Sequence, residues 1–140
     1  MIPRLAQGLA DLAAKLAGSI APETSSRYAM ANSGMIAMLL GALALESERA
    51  VATRMTDIDE MQALFGACRA DADPVGRPAR DAFRERAPAS LRLSDVDALH
   101  AEGLHLLIDL HAWAEAHDDV LNRQIWDFLL THTERHRLDP

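Results

Sequence analysis

The apolar residues of this chain recur at helical rather than strand-like spacing. Leu5, Leu9, Leu12 and Leu16 share one face while Arg4, Asp11 and Lys15 share the other, so residues 1–18 predict an amphipathic first helix opened by Pro3 and closed by Gly18. Beyond Pro22, Thr24, Ser25 and Ser26 offer an N-cap, and no proline follows until Pro74. On a helical wheel Ile36, Leu40 and Leu43 fall in one sector with Ile58, Met61, Leu64, Phe65 and Cys68. One helix from about 24 to 71, some 70 Å long, is therefore as economical as two.

Residues 72–93 break the pattern, punctuated by Asp73-Pro74, Gly76, Pro78 and Pro88, with room for a short helix over 79–86. Ser94 is the expected cap of a second long element, whose side Val96, Leu99, Leu106, Leu110 and Trp113 is continued by Leu121, Ile125 and Phe128. Asp118-Asp119 could end one helix and cap the next, although a single element bent there is favoured. Two long helices joined by a proline-rich connector predict an all-α antiparallel helical bundle, with the shorter N-terminal helix packed alongside. The expected organisation is one domain over 1–140.

Composition agrees with helix: 26 alanines and 20 leucines dominate, and aromatic residues make up 4% of the chain. A formal charge of -7 makes nucleic acid an unexpected partner, because phosphate would be repelled. The single Cys68 can form neither an internal disulfide nor a Cys-rich zinc site and suits a reducing compartment, so a cytoplasmic location is expected. Thirteen arginines against one lysine, with abundant alanine, fit a GC-rich bacterial genome. The charged face of residues 1–18 does not read as a secretory leader. The stretch 29–45 is uncharged, but it is shorter than about 20 residues and contains Asn32, Ser33, Gly34 and Gly41. It is expected to be the most buried helix of the bundle, with no membrane partner.

All six histidines, at 100, 105, 111, 117, 132 and 136, lie in the last third of the chain. Glu102-Gly103-Leu104-His105 has the Glu-x-x-His spacing of di-metal bundle sites, yet no histidine precedes His100 to supply a second pair. Glu102, His105 and Asp109 lie off the apolar stripe and read as an exposed charge ladder. No zinc-protease pair of histidines at i and i+4 around a Glu is expected, nor a Gly-rich phosphate loop or nucleophile elbow. Accordingly no metal, cofactor or catalytic group is assigned. Cys68 sits on the apolar stripe as an inert thiol, and Trp113 and Trp126 read as core. In the connector Arg77, Arg80, Arg84, Arg86 and Arg92 outnumber Asp81 and Glu85; a solvated surface is favoured over an anion site.

Two features point to function. Ala31, Gly34, Ala37, Gly41 and Ala42 form a small-residue flank whose first reading is tight packing against another helix; because Met30, Met38 and Leu45 still need cover, the flank is also read as a homodimer interface. Between Glu46 and Asp57 the apolar stripe is interrupted by Ser47, Ala50 and Arg54, with Asn32 earlier on the same stripe. Such an interruption marks a helix break, a register-setting network or a ligand site. In an antiparallel hairpin centred near residue 82, Glu46 faces His117 and Asp118, and Arg54 lies near Asp109 and His111. Asn32, Glu46, Arg54, His111 and His117 are thus the candidate polar layer or ligand site, in which Glu46 would raise the pKa of His117. The functional expectation is a non-enzymatic interaction or structural module acting as a dimer, with a protein partner or small ligand unidentified. The alternatives are a small-ligand-binding or regulatory bundle and, behind it, a metalloenzyme of ferritin-like or hemerythrin-like architecture.

Overall fold

The computed structural model describes residues 4–137, and every regular element among them is helical. The chain is all-α. The described residues fall into two compact units, one ending at Ala50 and one running from Val51 to Arg137.

In the first unit α1 (Leu5–Lys15) does not stop at Gly18. It continues through a single π turn, Leu16–Ile20, into the short α2 (Ala21–Glu23). No glycine among the described residues takes a positive φ, so Gly18 lacks the left-handed conformation that closes a helix. Thr24 ends the run instead, with extended backbone and its hydroxyl donating to Ala21 O at 2.7 Å. The proposed opener Pro3 lies outside the described residues. Ser26 Oγ then accepts from Ala29 N at 3.4 Å and α3 begins, Arg27–Ala67, unbroken through the polar stretch at 46–57.

Helix α3 corrects the expectation of a buried stretch at 29–45. Only Ala37 and Ala44 there are buried, while Met35, Ile36, Met38, Leu39 and Leu43 are exposed. By length and composition α3 could cross a membrane, and 17% of its most apolar window is buried.

The second unit holds the remainder of α3 with α4 (Arg77–Arg84), α5 (Leu93–His117) and α6 (Asp119–Arg135). Arg54 pairs with Asp97, Asp57 with His100, and Met61 lies against Gly103. Partner numbers rise together, so α3 and α5 run parallel rather than antiparallel. The reason is the connector: α4 carries the chain back along α3, held there by Gln62 Nε2, which donates to Phe83 O and Arg86 O at 3.1 and 2.8 Å. An edge contact between Phe65 and Phe83, with centroids 5.7 Å apart, adds to it.

The antiparallel partner of α3 is α6. Asp57 meets His136, Glu60 meets Arg135, and Ala67 shares a cleft with Gln124. This fold-back requires a break after His117, and Asp118 provides it. Its backbone is extended, and one carboxylate oxygen accepts from both Val120 N and Leu121 N at 3.0 Å. At the start of α5 the capping position is Arg92 rather than Ser94, without a side-chain cap. The core of the unit is built from Ile58, Met61, Phe83, Leu107, Leu110 and Ile125. Trp113 packs against that core, whereas Trp126 is half exposed, with its ring edge-on to His111.

Candidate metal centre

Of the expected polar residues, Asn32 and Glu46 belong to the first unit and lie about 21 Å apart along one helix. Glu46 pairs with Arg49 at 3.3 Å. The other three belong to the second unit and have separate partners. Arg54 pairs with Asp97, and His111 Nε2 meets Asn122 Oδ1 at 3.0 Å. His117 is exposed, stacks on Trp113 and donates from Nδ1 to Trp113 O at 2.7 Å. Within the second unit, the parallel course of α3 and α5 removes the register that set Arg54 against Asp109 and His111. Glu102 pairs with Arg86, and His105 and Asp109 are exposed, as the charge-ladder reading has it.

What the fold does assemble is a different set. Asp57, at the polar end of the α3 interruption, is fully buried, and three imidazoles converge on its Oδ2. His136 Nε2 lies 2.5 Å away, His100 Nε2 3.0 Å and His132 Nε2 3.6 Å. Four potential ligand atoms, one from each residue, lie within 4.8 Å of one another. Each helix contributes for a local reason. His132 and His136 share one face of the last turns of α6 by their i, i+4 spacing, α5 brings His100 by its antiparallel pairing with α6, and α3 supplies the carboxylate. The rings of His100 and His132 are stacked 5.7 Å apart, and Phe128 closes on His132 at 5.8 Å.

The outer contacts fix the carboxylate. Arg135 pairs with Asp57 Oδ1 and, through Nη2, with Glu60 at 2.6 Å. Burial alone would raise the pKa of Asp57, but hydrogen bonds from His136 and Arg135 and the nearby histidines outweigh it and hold the carboxyl below its ordinary value. Burial lowers the pKa of both His100 and His132, against the attraction of Asp57. Both rings are therefore neutral at pH 7, the state in which an imidazole nitrogen can ligate.

Asp57, His100, His132 and His136 are of the type and proximity that could hold a metal ion. In a tetrahedral site with bonds of 2.0–2.2 Å, neighbouring ligand atoms are roughly 3.3–3.6 Å apart; the His132 contact to Oδ2 has that spacing, while those of His100 and His136 are shorter, at hydrogen-bond distance. His132 Nε2 is buried with no hydrogen-bond partner among the described residues. An orphaned buried nitrogen costs about 1–3 kcal/mol unless something else satisfies it.

The sequence signal for half of this set is His132-Thr-Glu-Arg-His136, which does place two histidines at i and i+4 around a Glu. The expectation of no such pair is corrected here. Its Glu134 is exposed and not next to the first histidine, so the zinc-protease arrangement is still not met. Comparison with protein-family models, with characterised proteins and with solved structures returns no match.

Proposed function

We propose that this chain is a metal-binding helical protein that holds one divalent first-row transition-metal ion through Asp57, His100, His132 and His136. The observation that carries the reading is His132 Nε2, buried and unpartnered, 3.6 Å from a carboxylate oxygen that two further imidazoles already face. Three nitrogens and one oxygen suit zinc, iron, cobalt, nickel or manganese, whereas calcium and magnesium favour all-oxygen cages. The centre joins three helices far apart in sequence, so metal that binds only the folded unit would stabilise it by RT ln(1 + c/Kd), where c is the free metal concentration, or about 2.7 kcal/mol when c is 100 Kd.

Calorimetric titration of chelator-treated, tag-free protein with Zn²⁺ and Co²⁺ tests the reading. One ion per chain is expected for the wild type. His132→Gln removes a ring that makes no hydrogen bond, so it is expected to leave far-UV circular dichroism unchanged and weaken binding at least tenfold. Binding absent from the wild type, or equal in both proteins, overturns the assignment.

A second reading concerns the first unit and is favoured by its exposed apolar face: a homodimer through α3, in keeping with an interaction module. Its test is argued with the molecule as a whole.

A further inference from the structure

The connector arginines are not a uniformly solvated surface. Arg69, Arg77, Arg80 and Arg84 line one cavity of about 120 Å³ between the last turns of α3 and α4, floored by Phe65 and Gly66. The only carboxylate in that lining is Asp81.

The four guanidiniums are not equally committed. Arg80 is 3% exposed and locked: it pairs with Asp73, and its Nη2 donates to Ala72 O and Asp73 O at 2.9 and 3.0 Å. Arg69 is held by Asp71 at 2.6 Å. Arg77 donates to Ala70 O and shares the carboxylate of Asp81 with Arg84 at 3.4 and 3.6 Å. Those two distances are longer than the 2.7–2.9 Å of a well-formed charge-assisted bond. One carboxylate thus answers loosely for two cations, beside a buried third, in a chain whose net charge is -7.

Gly66 leaves room for Arg84: a Cβ there would stand 3.0–3.2 Å from Nε, Nη2 and Cζ of its guanidinium, which would then shift by a few tenths of an ångström. Glycine at an interior helical position costs about 1 kcal/mol relative to alanine. The space of about 120 Å³ is well above the roughly 10–15 Å³ that admits a single water, so it has room for a compact ligand.

We propose that this cavity binds a tetrahedral oxyanion, either inorganic phosphate or the phosphate group of a monoester, with Arg77 and Arg84 closing on it beside the fixed Arg80–Asp73 pair. Guanidinium forks match such oxygens bidentately, and an anion offsets the single positive charge that Asp81 leaves between Arg77 and Arg84. The site shares no residue with the metal centre and stands or falls without it.

The test is thermal unfolding of the full chain at constant ionic strength, with chloride exchanged for phosphate, sulfate or glucose 6-phosphate. Sulfate is included because it separates anion binding from metal capture. A higher midpoint in phosphate and sulfate than in chloride is expected, with a dissociation constant raised at least tenfold in Arg84→Gln and in Arg77→Gln. Both side chains are partly exposed, so the variants are expected to keep wild-type circular dichroism; Arg92→Gln, outside the cavity, is expected to bind as wild type. Stronger protection by the sugar phosphate than by phosphate assigns the site to a monoester, and the reverse assigns it to the free ion. Equal midpoints in all salts, or equal protection of Arg84→Gln and wild type, overturn the proposal.

Discussion

Asp57 organises the second unit at the scale of single residues. It is a buried carboxylate whose two oxygens are divided between a cation on one side and imidazoles on the other. Removing one member of a buried charge network costs about 3–5 kcal/mol, because the partner is left uncompensated. Asp57→Ala is therefore expected to lower the urea unfolding free energy of metal-free protein by about that much, with Arg135 left to Glu60 alone. A loss within experimental error of zero would mean that water already solvates the cluster. The pH dependence has a definite sign. His100, His132 and Asp57 all bind protons less readily in the fold than in the unfolded chain, so stability rises with pH wherever they titrate. The histidine contribution is complete above their ordinary value of 6.5 and is lost as pH falls toward the depressed folded values. The Asp57 contribution is complete above 3.8 and is lost below it. Urea midpoints measured in a chelator are expected to fall between pH 7.5 and 5.5, and less steeply in His132→Gln. A midpoint that rises on acidification contradicts the burial of neutral rings.

Packing between helices turns on Gly103. A Cβ there would stand 2.7 Å from both the Phe83 ring and Met61 Cε, so α5 approaches α3 and α4 as closely as it does only because this position has no side chain. Gly103→Ala gains about 1 kcal/mol of helix propensity but overpacks the contact, which costs about 1–3 kcal/mol. Net destabilisation is expected in chemical denaturation, and a more stable variant would show that Phe83 can move aside. The elements themselves were largely legible in the sequence. The continuity of α3 followed from one apolar sector persisting across the polar stretch, and the Asp118 break from its capping chemistry, although the single bent helix was favoured over it. Direction was not legible. A connector with four turn signals reads as a hairpin turn, and nothing local in it says that α4 returns the chain to the starting end. That one reversal moved the expected partner of Arg54 from Asp109 to Asp97. The metal set was half legible, since His132 and His136 share a helix face in any register. His100 and Asp57 join them only through the α5–α6 fold-back and the parallel α3–α5 pairing, which are properties of the tertiary fold.

At the scale of the whole molecule the proposed homodimer rests on the exposed apolar side of α3. Met35, Ile36, Met38, Leu39 and Leu43 are each about half exposed, which supports that proposal. A Cβ at Gly34 or Gly41 would meet nothing within 4 Å, so no packing among the described residues requires these glycines, although each weakens a helix interior by about 1 kcal/mol. Small residues four or seven apart allow a second helix backbone to approach, and a second copy, offering the same face, is self-complementary about a two-fold axis. Light scattering of purified protein at high micromolar concentration is expected to give twice the chain mass of 15.3 kDa. Replacing Gly34 and Gly41 together with leucine is the discriminating variant. It introduces better helix formers into open space, so helicity is expected to hold or rise while the dimer dissociates at least tenfold more readily. A monomeric wild type removes the dimer, and so does an unchanged mass in the double variant. Recovery of the chain in carbonate-resistant membranes would instead assign the uncharged stretch of α3 to a bilayer, which its length and apolarity also match.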